Sequence, residues 1–307
     1  MRVIYLGTSS FAQPPLISLI ESVHELILVV TRPPKGAGRG RKLRNPPVAE
    51  YAVTHELKLL QPEKLTNDII SHLRSLKPDV MVSAAYGAWL PKKLLESAPL
   101  GVVNIHPSLL PAYRGAAPVT RAIIDGADET GVSFMLTDTG WDTGPLLESY
   151  REKIMPDDTT GLLEERLSHI AAAHMQTVLE RYAAGLIIPE PQKGETVYAE
   201  KITSEETWLD WNMSAEYLER QVRAFQPFPG ARTEYRGNML KIIKASPVLM
   251  EATPGEITIE DNTLIIGCGE GSLKILSLQP ASRRIMDTAD FLRGTSMRTG
   301  DKLGSKK

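Results

Sequence analysis

Short apolar runs in the first half of the chain alternate with segments whose apolar residues recur every three or four positions. The runs lie at 3–7, 26–30, 79–85 and 101–103, and the longest helical pattern covers 159–184. Alternation of this kind is typical of parallel strands joined by helices. It predicts an α/β fold built on an open, mostly parallel, doubly wound, Rossmann-like sheet.

The pattern changes after residue 186. A polar, proline-rich stretch at 187–194 continues in extended form to 202, and a helix is predicted at 214–224. Five strand-like runs follow, separated by turns that carry Gly, Asn or Asp. Short strands at this spacing predict a small C-terminal β-barrel of the oligonucleotide-binding (OB-like) type. We therefore expect a first domain at 1–186, a linker at 187–202 and a second domain at 203–307.

Composition narrows the class of protein. Hydrophobic residues make up 42% of the chain and charged residues 23%, and the net charge of −2 gives no general attraction to nucleic acid. The single cysteine, Cys268, excludes an intrachain disulfide, and the six histidines show no metal-ligand spacing, so no metal is expected. There is no run of 18 apolar residues, so we expect no membrane segment. A strand begins near Arg2 and leaves no room for a targeting peptide, so we expect a cytoplasmic protein. A monomer is the simplest expectation for its oligomeric state.

Two polar side chains occur at the end of the strand that begins at Gly101. Asn104 and His106 are two residues apart, so they project to the same side of a strand that Pro107 then ends. Ligands bind open α/β sheets at the carboxyl edge of the strands. An amide and an imidazole are thus predicted side by side where a ligand would bind.

A turn rich in Gly and Asp follows the strand predicted at 129–137. It contains two acids, Asp138 and Asp142. Aspartates in such turns often accept hydrogen bonds from their own backbone, and we expect that role for Asp138.

The segment 31–49 contains six basic residues and no acidic one, together with Gly and Pro that make regular structure improbable. A solvated surface loop is the ordinary interpretation of such a run. However, charges of one sign repel unless an anion compensates, and the loop leaves the same sheet edge as Asn104. We favour contact with RNA phosphates, with Arg39 as the leading candidate of the set Arg32, Lys35, Arg39, Arg41, Lys42 and Arg44.

The C-terminal tail is a second candidate for RNA contact. From Ser282 onward it has seven basic and three acidic residues, although a frayed basic terminus is the commoner meaning of such a composition.

The stretch NIHPSLLPAYRGAAP, with a downstream acid in a DTG context, resembles the signature of enzymes that use 10-formyltetrahydrofolate as a formyl donor. The resemblance extends over essentially the whole chain and is strongest to the members that act on initiator methionyl-tRNA. It implies formyl transfer by Asn104, His106 and Asp142. It also implies that the donor binds two loops, formed by Tyr86, Gly87, Ala88, Trp89 and Leu90 and by Ser108, Leu109, Leu110 and Pro111.

Two other functions remain open on the sequence. A formyltransferase for a small amine, such as an amino-sugar nucleotide or glycinamide ribonucleotide, would use the same core but gives no reason for the basic loop or the barrel. A catalytically silent RNA-binding module would need none of Asn104, His106 and Asp142.

Overall fold

The computed structural model describes residues 1–37 and 42–304 and divides into two compact units. The first unit comprises Met1–Pro118, Glu129–Lys153 and Glu164–Ala199, and the second comprises Val119–Asp128, Ile154–Leu163 and Glu200–Lys307. The first unit thus takes in most of the predicted linker, and two short internal segments group with the second unit. The continuous domain limits drawn from the sequence stay a prediction.

The first half of the chain alternates strands and helices as the apolar pattern predicts. The strands are β1 (Arg2–Gly7), β2 (Glu25–Val30), β3 (Lys35–Ala37), β4 (Lys42–Arg44), β5 (Leu59–Leu60), β6 (Val80–Ala84), β7 (Val102–His106), β8 (Arg114–Gly115), β9 (Glu129–Leu136), β10 (Leu146–Lys153) and β11 (Tyr198–Ala199). The helices are α1 (Gln13–Ile20), α2 (Pro47–Thr54), α3 (Asn67–Ser75), α4 (Lys92–Leu95), α5 (Pro118–Asp125) and α6 (Thr160–Ala183).

Seven of these strands form the central sheet in the order β10-β9-β7-β6-β1-β2-β5. The five strands from β7 to β5 are parallel, whereas β9 and β10 add to the sheet in antiparallel pairing. Ile4, Leu6 and Met81 pack with apolar residues of α3 and α4 on one face. Tyr5 points to the other face, where its hydroxyl donates to the Ala12 carbonyl at 2.6 Å. The mostly parallel, doubly wound fold is therefore confirmed.

The basic segment contains regular structure, contrary to the sequence-based expectation. Strands β3 and β4 pair as an antiparallel ribbon in which Lys35 lies opposite Arg44. Gly and Pro content does not exclude strand pairing here, because Gly36 lies within β3 and pairs with Leu43 of β4. Arg39 and Arg41 lie outside the described residues.

The second unit holds helix α7 (Ala215–Ala224) and a six-stranded sheet. Its strands are β12 (Ala231–Tyr235), β13 (Asn238–Val248), β14 (Ile257–Glu260), β15 (Thr263–Gly267), β16 (Ser272–Pro280) and β17 (Met286–Asp287), followed by α8 (Thr288–Arg293). All pairings are antiparallel, in the order β12-β13-β16-β15-β14, with β17 on β16.

Residues Leu303 and Gly304 connect the two outer strands of this sheet. The Gly304 amide donates to the Glu234 carbonyl of β12 at 2.8 Å, and the Leu303 amide donates to the Gly255 carbonyl before β14 at 2.8 Å. Leu303 is buried, with 6% exposure. The described part of the basic tail is therefore not frayed. It closes the antiparallel sheet in the way expected of a small barrel, which removes the exposed edges.

Among the helices of the described residues, none has the length and apolar character needed to span a bilayer.

Candidate active site

A cleft of about 590 Å³ opens at the carboxyl edge of the central sheet, within the first unit. Parallel strands β1, β6 and β7 end here, and their following loops supply its walls. The side chains predicted for catalysis, Asn104, His106 and Asp142, all line it. The structure therefore brings together three residues that are up to 38 positions apart in the sequence.

Asn104 is held by its backbone rather than by its side chain. It lies in β7 beside Ser83 of β6 and Met135 of β9, and it is half-buried. Among the described residues, no group forms a hydrogen bond with its side-chain amide. The amide is consequently available to a ligand in the cleft.

The His106 ring is oriented by a main-chain carbonyl. Its Nε2 lies 2.9 Å from the Tyr113 oxygen, and since a carbonyl only accepts, Nε2 carries a proton. The other nitrogen, Nδ1, lies 3.7 Å from Asp142 Oδ2, which is too long for a direct hydrogen bond. His106 is 5% exposed. Nδ1 is thus the nitrogen whose proton can change during a reaction.

Asp142 occupies a strained backbone position at the rim of the cleft. Its φ is +51°, a value that non-glycine residues rarely adopt. Its Oδ2 accepts a hydrogen bond from the Gly115 amide at 3.0 Å, so the same oxygen faces both Gly115 and His106. The segment 113–115 therefore contacts both the imidazole and the carboxylate.

Asp138, the other acid of this turn, has a structural role, as predicted. Asp138 Oδ1 accepts from the Gly140 amide at 2.9 Å and from the Thr143 hydroxyl at 2.7 Å. At Gly144 an added Cβ would lie 1.7 Å from the Leu136 carbonyl oxygen, so only glycine fits there. These contacts fix the loop that presents Asp142.

Glu164, which was not predicted from the sequence, also lines the cleft. Burial raises the pKa of this carboxyl above its ordinary value near 4.5. Among the described residues no side chain pairs with it. It lies in the first turns of α6 with ordinary helical spacing, so no local sequence signal distinguishes it from a surface glutamate.

Of the two loops predicted to bind the donor, one lines the cleft. Residues 86–90 form part of its wall, and the Trp89 ring contacts the Trp141 ring edge-on at 5.1 Å between centroids. Both tryptophans are exposed, at 47% and 65%. Trp141 was not predicted, because its neighbours in the sequence are turn residues.

The loop of Ser108, Leu109, Leu110 and Pro111 does not line the cleft. Ser108 is fully buried and its hydroxyl donates to the Ala112 carbonyl at 2.6 Å. The Leu110 amide donates to the Ser133 hydroxyl at 3.1 Å. These contacts attach the loop to Ser133 of β9, and its role in donor binding stays a prediction.

The basic residues that the structure describes fall into two groups. Arg32 donates from Nη1 to the Glu63 carbonyl at 2.8 Å, which anchors the start of the basic segment. Lys35, Lys42 and Arg44 are exposed on the β3–β4 ribbon, and no acidic side chain of the described residues pairs with them. Like charges placed opposite each other on a ribbon are unfavourable unless an anion binds.

Within the described ranges, no three His, Cys, Asp or Glu side chains converge as metal ligands would.

An amide donor, an imidazole and a carboxylate at the carboxyl edge of a Rossmann-like sheet define a group-transfer site suited to acyl chemistry. Comparison of the chain with known protein families agrees with this class. The family model "Formyl transferase" matches residues 1–179, and "Formyl transferase, C-terminal domain" matches residues 201–296. The chain belongs to the formyl transferase family.

Proteins that are similar to the chain over its full length have a more specific name. The chain is 41% identical over 309 residues to a methionyl-tRNA formyltransferase of Neisseria gonorrhoeae, covering 99% of this chain and 100% of that one. It is 42% identical over 306 residues to a methionyl-tRNA formyltransferase of Thermus thermophilus, covering 99% of both.

Solved structures share the fold at lower identity. A methionyl-tRNA formyltransferase from Clostridium thermocellum superposes with a TM-score of 0.58 at 18% identity, covering 88% of this chain and 100% of that one. An N-formyltransferase from Helicobacter canadensis, in complex with folinic acid and dTDP-3-aminofucose, gives 0.67 at 18% identity, covering 89% and 97%.

Proposed function

We propose that the protein transfers a formyl group from 10-formyltetrahydrofolate to the α-amino group of methionine on initiator tRNA, for translation initiation. The single observation that carries this proposal is the 41% sequence identity, over 99% of the chain, to a methionyl-tRNA formyltransferase. The convergence of Asn104, His106 and Asp142 in one cleft supports it from the chemistry.

Asn104 suits stabilisation of the formyl oxygen. Attack of the amine on the formyl carbon breaks the carbonyl π bond and places negative charge on that oxygen. An amide N–H donates to an oxyanion without changing its own charge, and removal of one such donor commonly costs about 2.7–4 kcal/mol of barrier. Because no described group engages the Asn104 amide, it needs no rearrangement to donate.

His106 and Asp142 suit the movement of the proton. The attacking amine must lose one proton, and the departing nitrogen of the donor must gain one, so the proton count balances over the reaction. With Nε2 fixed by the Tyr113 carbonyl, His106 Nδ1 is the atom that can carry this proton. The Asp142 carboxylate 3.7 Å away stabilises the imidazolium that forms.

The wall formed by residues 86–90 suits the donor substrate. Trp89 and Trp141 present exposed aromatic surface, and loop backbone groups at this wall can pair with the polar edge of a flat heterocycle. The cleft volume of about 590 Å³ lies in the range of small-molecule sites.

The β3–β4 ribbon and the basic residues adjoining it in sequence suit the tRNA substrate. The ribbon presents Lys35, Lys42 and Arg44 without acidic partners among the described residues, and Arg39 and Arg41 lie between its strands in the sequence. Phosphate contacts of this kind make binding depend steeply on salt.

Replacing His106 with Ala tests the chemical part of the proposal. We expect loss of formyl transfer with an unchanged circular dichroism spectrum. Full activity in this variant would contradict the assignment.

Replacing Arg39 with Ala tests the basic segment. We expect KM for the charged tRNA to rise much more than KM for the folate, and tRNA affinity in a gel shift to fall steeply with salt. Equal effects on both substrates would remove the proposed role of this segment.

A further inference from the structure

The predicted linker contains a strap, residues 187–199, that hydrogen-bonds to the catalytic unit. Glu190 and Leu146 exchange two backbone hydrogen bonds, of 2.7 and 2.9 Å. Arg114 donates from its amide to the Val197 carbonyl, and β8 pairs with β11. At Gly115, whose φ is +120°, an added Cβ would lie 2.7 Å from the Ala199 carbonyl oxygen. The strap therefore lies directly against the segment that contacts His106 and Asp142.

Gln192 of the strap uses its whole hydrogen-bonding capacity on the loop that presents Asp142 and on Arg114. Its Nε2 donates to the Asp142 carbonyl and to the Gly144 carbonyl, both at 2.8 Å. Its Oε1 accepts from Arg114 Nε at 3.0 Å and Nη2 at 2.6 Å. Because Arg only donates and carbonyls only accept, this network permits one orientation of the amide.

This network connects the two sides of the catalytic pair. Arg114 is flanked by Tyr113, which orients His106, and by Gly115, whose amide binds Asp142. Asp142 itself is held at a φ of +51°, which persists only where surrounding contacts determine it. Asp142–Gly144 lies between β9 and β10 and belongs to neither a strand nor a helix, so the hydrogen bonds from Gln192 supply part of that restraint.

We infer that Gln192, fixed by Arg114, is a positioning residue that holds the Asp142 carboxylate at its working distance from His106. This inference rests on the proposed function, because it assigns Gln192 an effect on formyl transfer through Asp142. It also gives the strap a role in catalysis beyond connecting the two domains.

Gln192→Glu is the sharpest variant. It keeps the size of the side chain and can form an ion pair with Arg114, so the strap stays attached. It loses both donors and places negative charge against the carbonyls of Asp142 and Gly144. A misplacement of about 1 Å can cost on the order of 100-fold in rate. We expect kcat to fall by about 10- to 100-fold with KM for the folate unchanged, and Gln192→Ala to behave alike.

The readout that separates positioning from general destabilisation is a double-mutant cycle with Asp142→Ala, measured by transfer of labelled formyl in single turnovers. If Gln192 acts through Asp142, Q192E causes no further loss in the D142A background. The matched control is Gln176→Ala, which removes an amide that bonds to Ser18 in the same unit, at 2.8 and 3.1 Å, outside the cleft lining. Its kcat should equal that of the wild type.

The outcomes distinguish the inference from the proposed function. Wild-type activity in D142A would overturn the assigned role of Asp142. Loss of activity in D142A together with full activity in Q192E, or with additive losses in the double variant, would overturn the role of Gln192 alone. Should Q192A fail to fold, Q192E and its cycle still decide the question.

Discussion

Replacing Asn104 with Ala should separate catalysis from stability. The amide lines the cleft and has no hydrogen-bond partner among the described residues, so its removal leaves no protein group unsatisfied. We therefore expect the free energy of unfolding to change by less than about 1 kcal/mol. The loss of one oxyanion donor should raise the barrier by about 2.7–4 kcal/mol. At about 1.36 kcal/mol per tenfold, this corresponds to a fall in kcat of about 100- to 1,000-fold.

The assay is transfer of labelled formyl to charged tRNA, together with urea unfolding and KM for the folate. Asn104→Asp provides a second arm, because it has the same size but its ionised oxygens cannot donate, and we expect it to be no more active than the Ala variant. Asn67→Ala is the control, since Asn67 Oδ1 accepts from Lys93 on the surface at 3.1 Å and should not affect the rate. Activity within a few-fold of the wild type in N104A, or a loss that parallels unfolding, would refute the reasoning.

Three further substitutions test the loop, the half-buried Glu164 and the barrel. Gly144→Ala should destabilise the protein by about 1–3 kcal/mol and lower the rate, because its Cβ would lie 1.7 Å from the Leu136 carbonyl oxygen. Gly294→Ala is the control, since its Cβ would meet no atom closer than 3.9 Å. Equal melting temperatures for the two variants would contradict this reasoning. Glu164→Gln should raise the melting temperature at pH 8 and not at pH 4. The folded protein holds the Glu164 proton more tightly than the unfolded chain, so the stability of the wild type falls as pH rises above about 4.5 toward the raised pKa. A difference in melting temperature between variant and wild type that does not change with pH would show that burial of this carboxyl has no such effect. Leu303→Ala should cost roughly 2–5 kcal/mol in urea unfolding if the chain end closes the barrel, and an unchanged midpoint would indicate that this segment detaches in solution.

The elements that the sequence predicted correctly are those with a local signal. The apolar runs of β1, β2, β6 and β7 and the long helical pattern of α6 needed no knowledge of distant contacts. Asn104 and His106 were predicted side by side because strand alternation and Pro107 are properties of adjacent residues. The turn role of Asp138 was likewise predicted from its neighbours, and its two hydrogen bonds within the turn confirm that role.

The features that the sequence could not reveal depend on contacts far along the chain. Gln192 is 50 residues from Asp142 and 78 from Arg114, so nothing near it indicates its partners. Glu164 is half-buried because it lines the cleft. For the tail, the sequence left RNA contact and fraying as the two alternatives, because the pairing of Leu303 and Gly304 with Gly255 and Glu234 is a tertiary event. The role of the loop at Ser108 in donor binding rests on resemblance and stays a prediction; the structure adds that its buried hydroxyl donates to the Ala112 carbonyl.

The most direct test of the proposed function is a side-by-side assay with the folate donor and two acceptors, methionine-charged initiator tRNA and methionine-charged elongator tRNA. We predict that labelled formyl is transferred to the initiator tRNA at a far higher kcat/KM, and that His106→Ala abolishes this transfer. Equal transfer to both tRNAs would contradict the assigned acceptor. Transfer to neither, with formylation of a small amine instead, would contradict the proposed function itself.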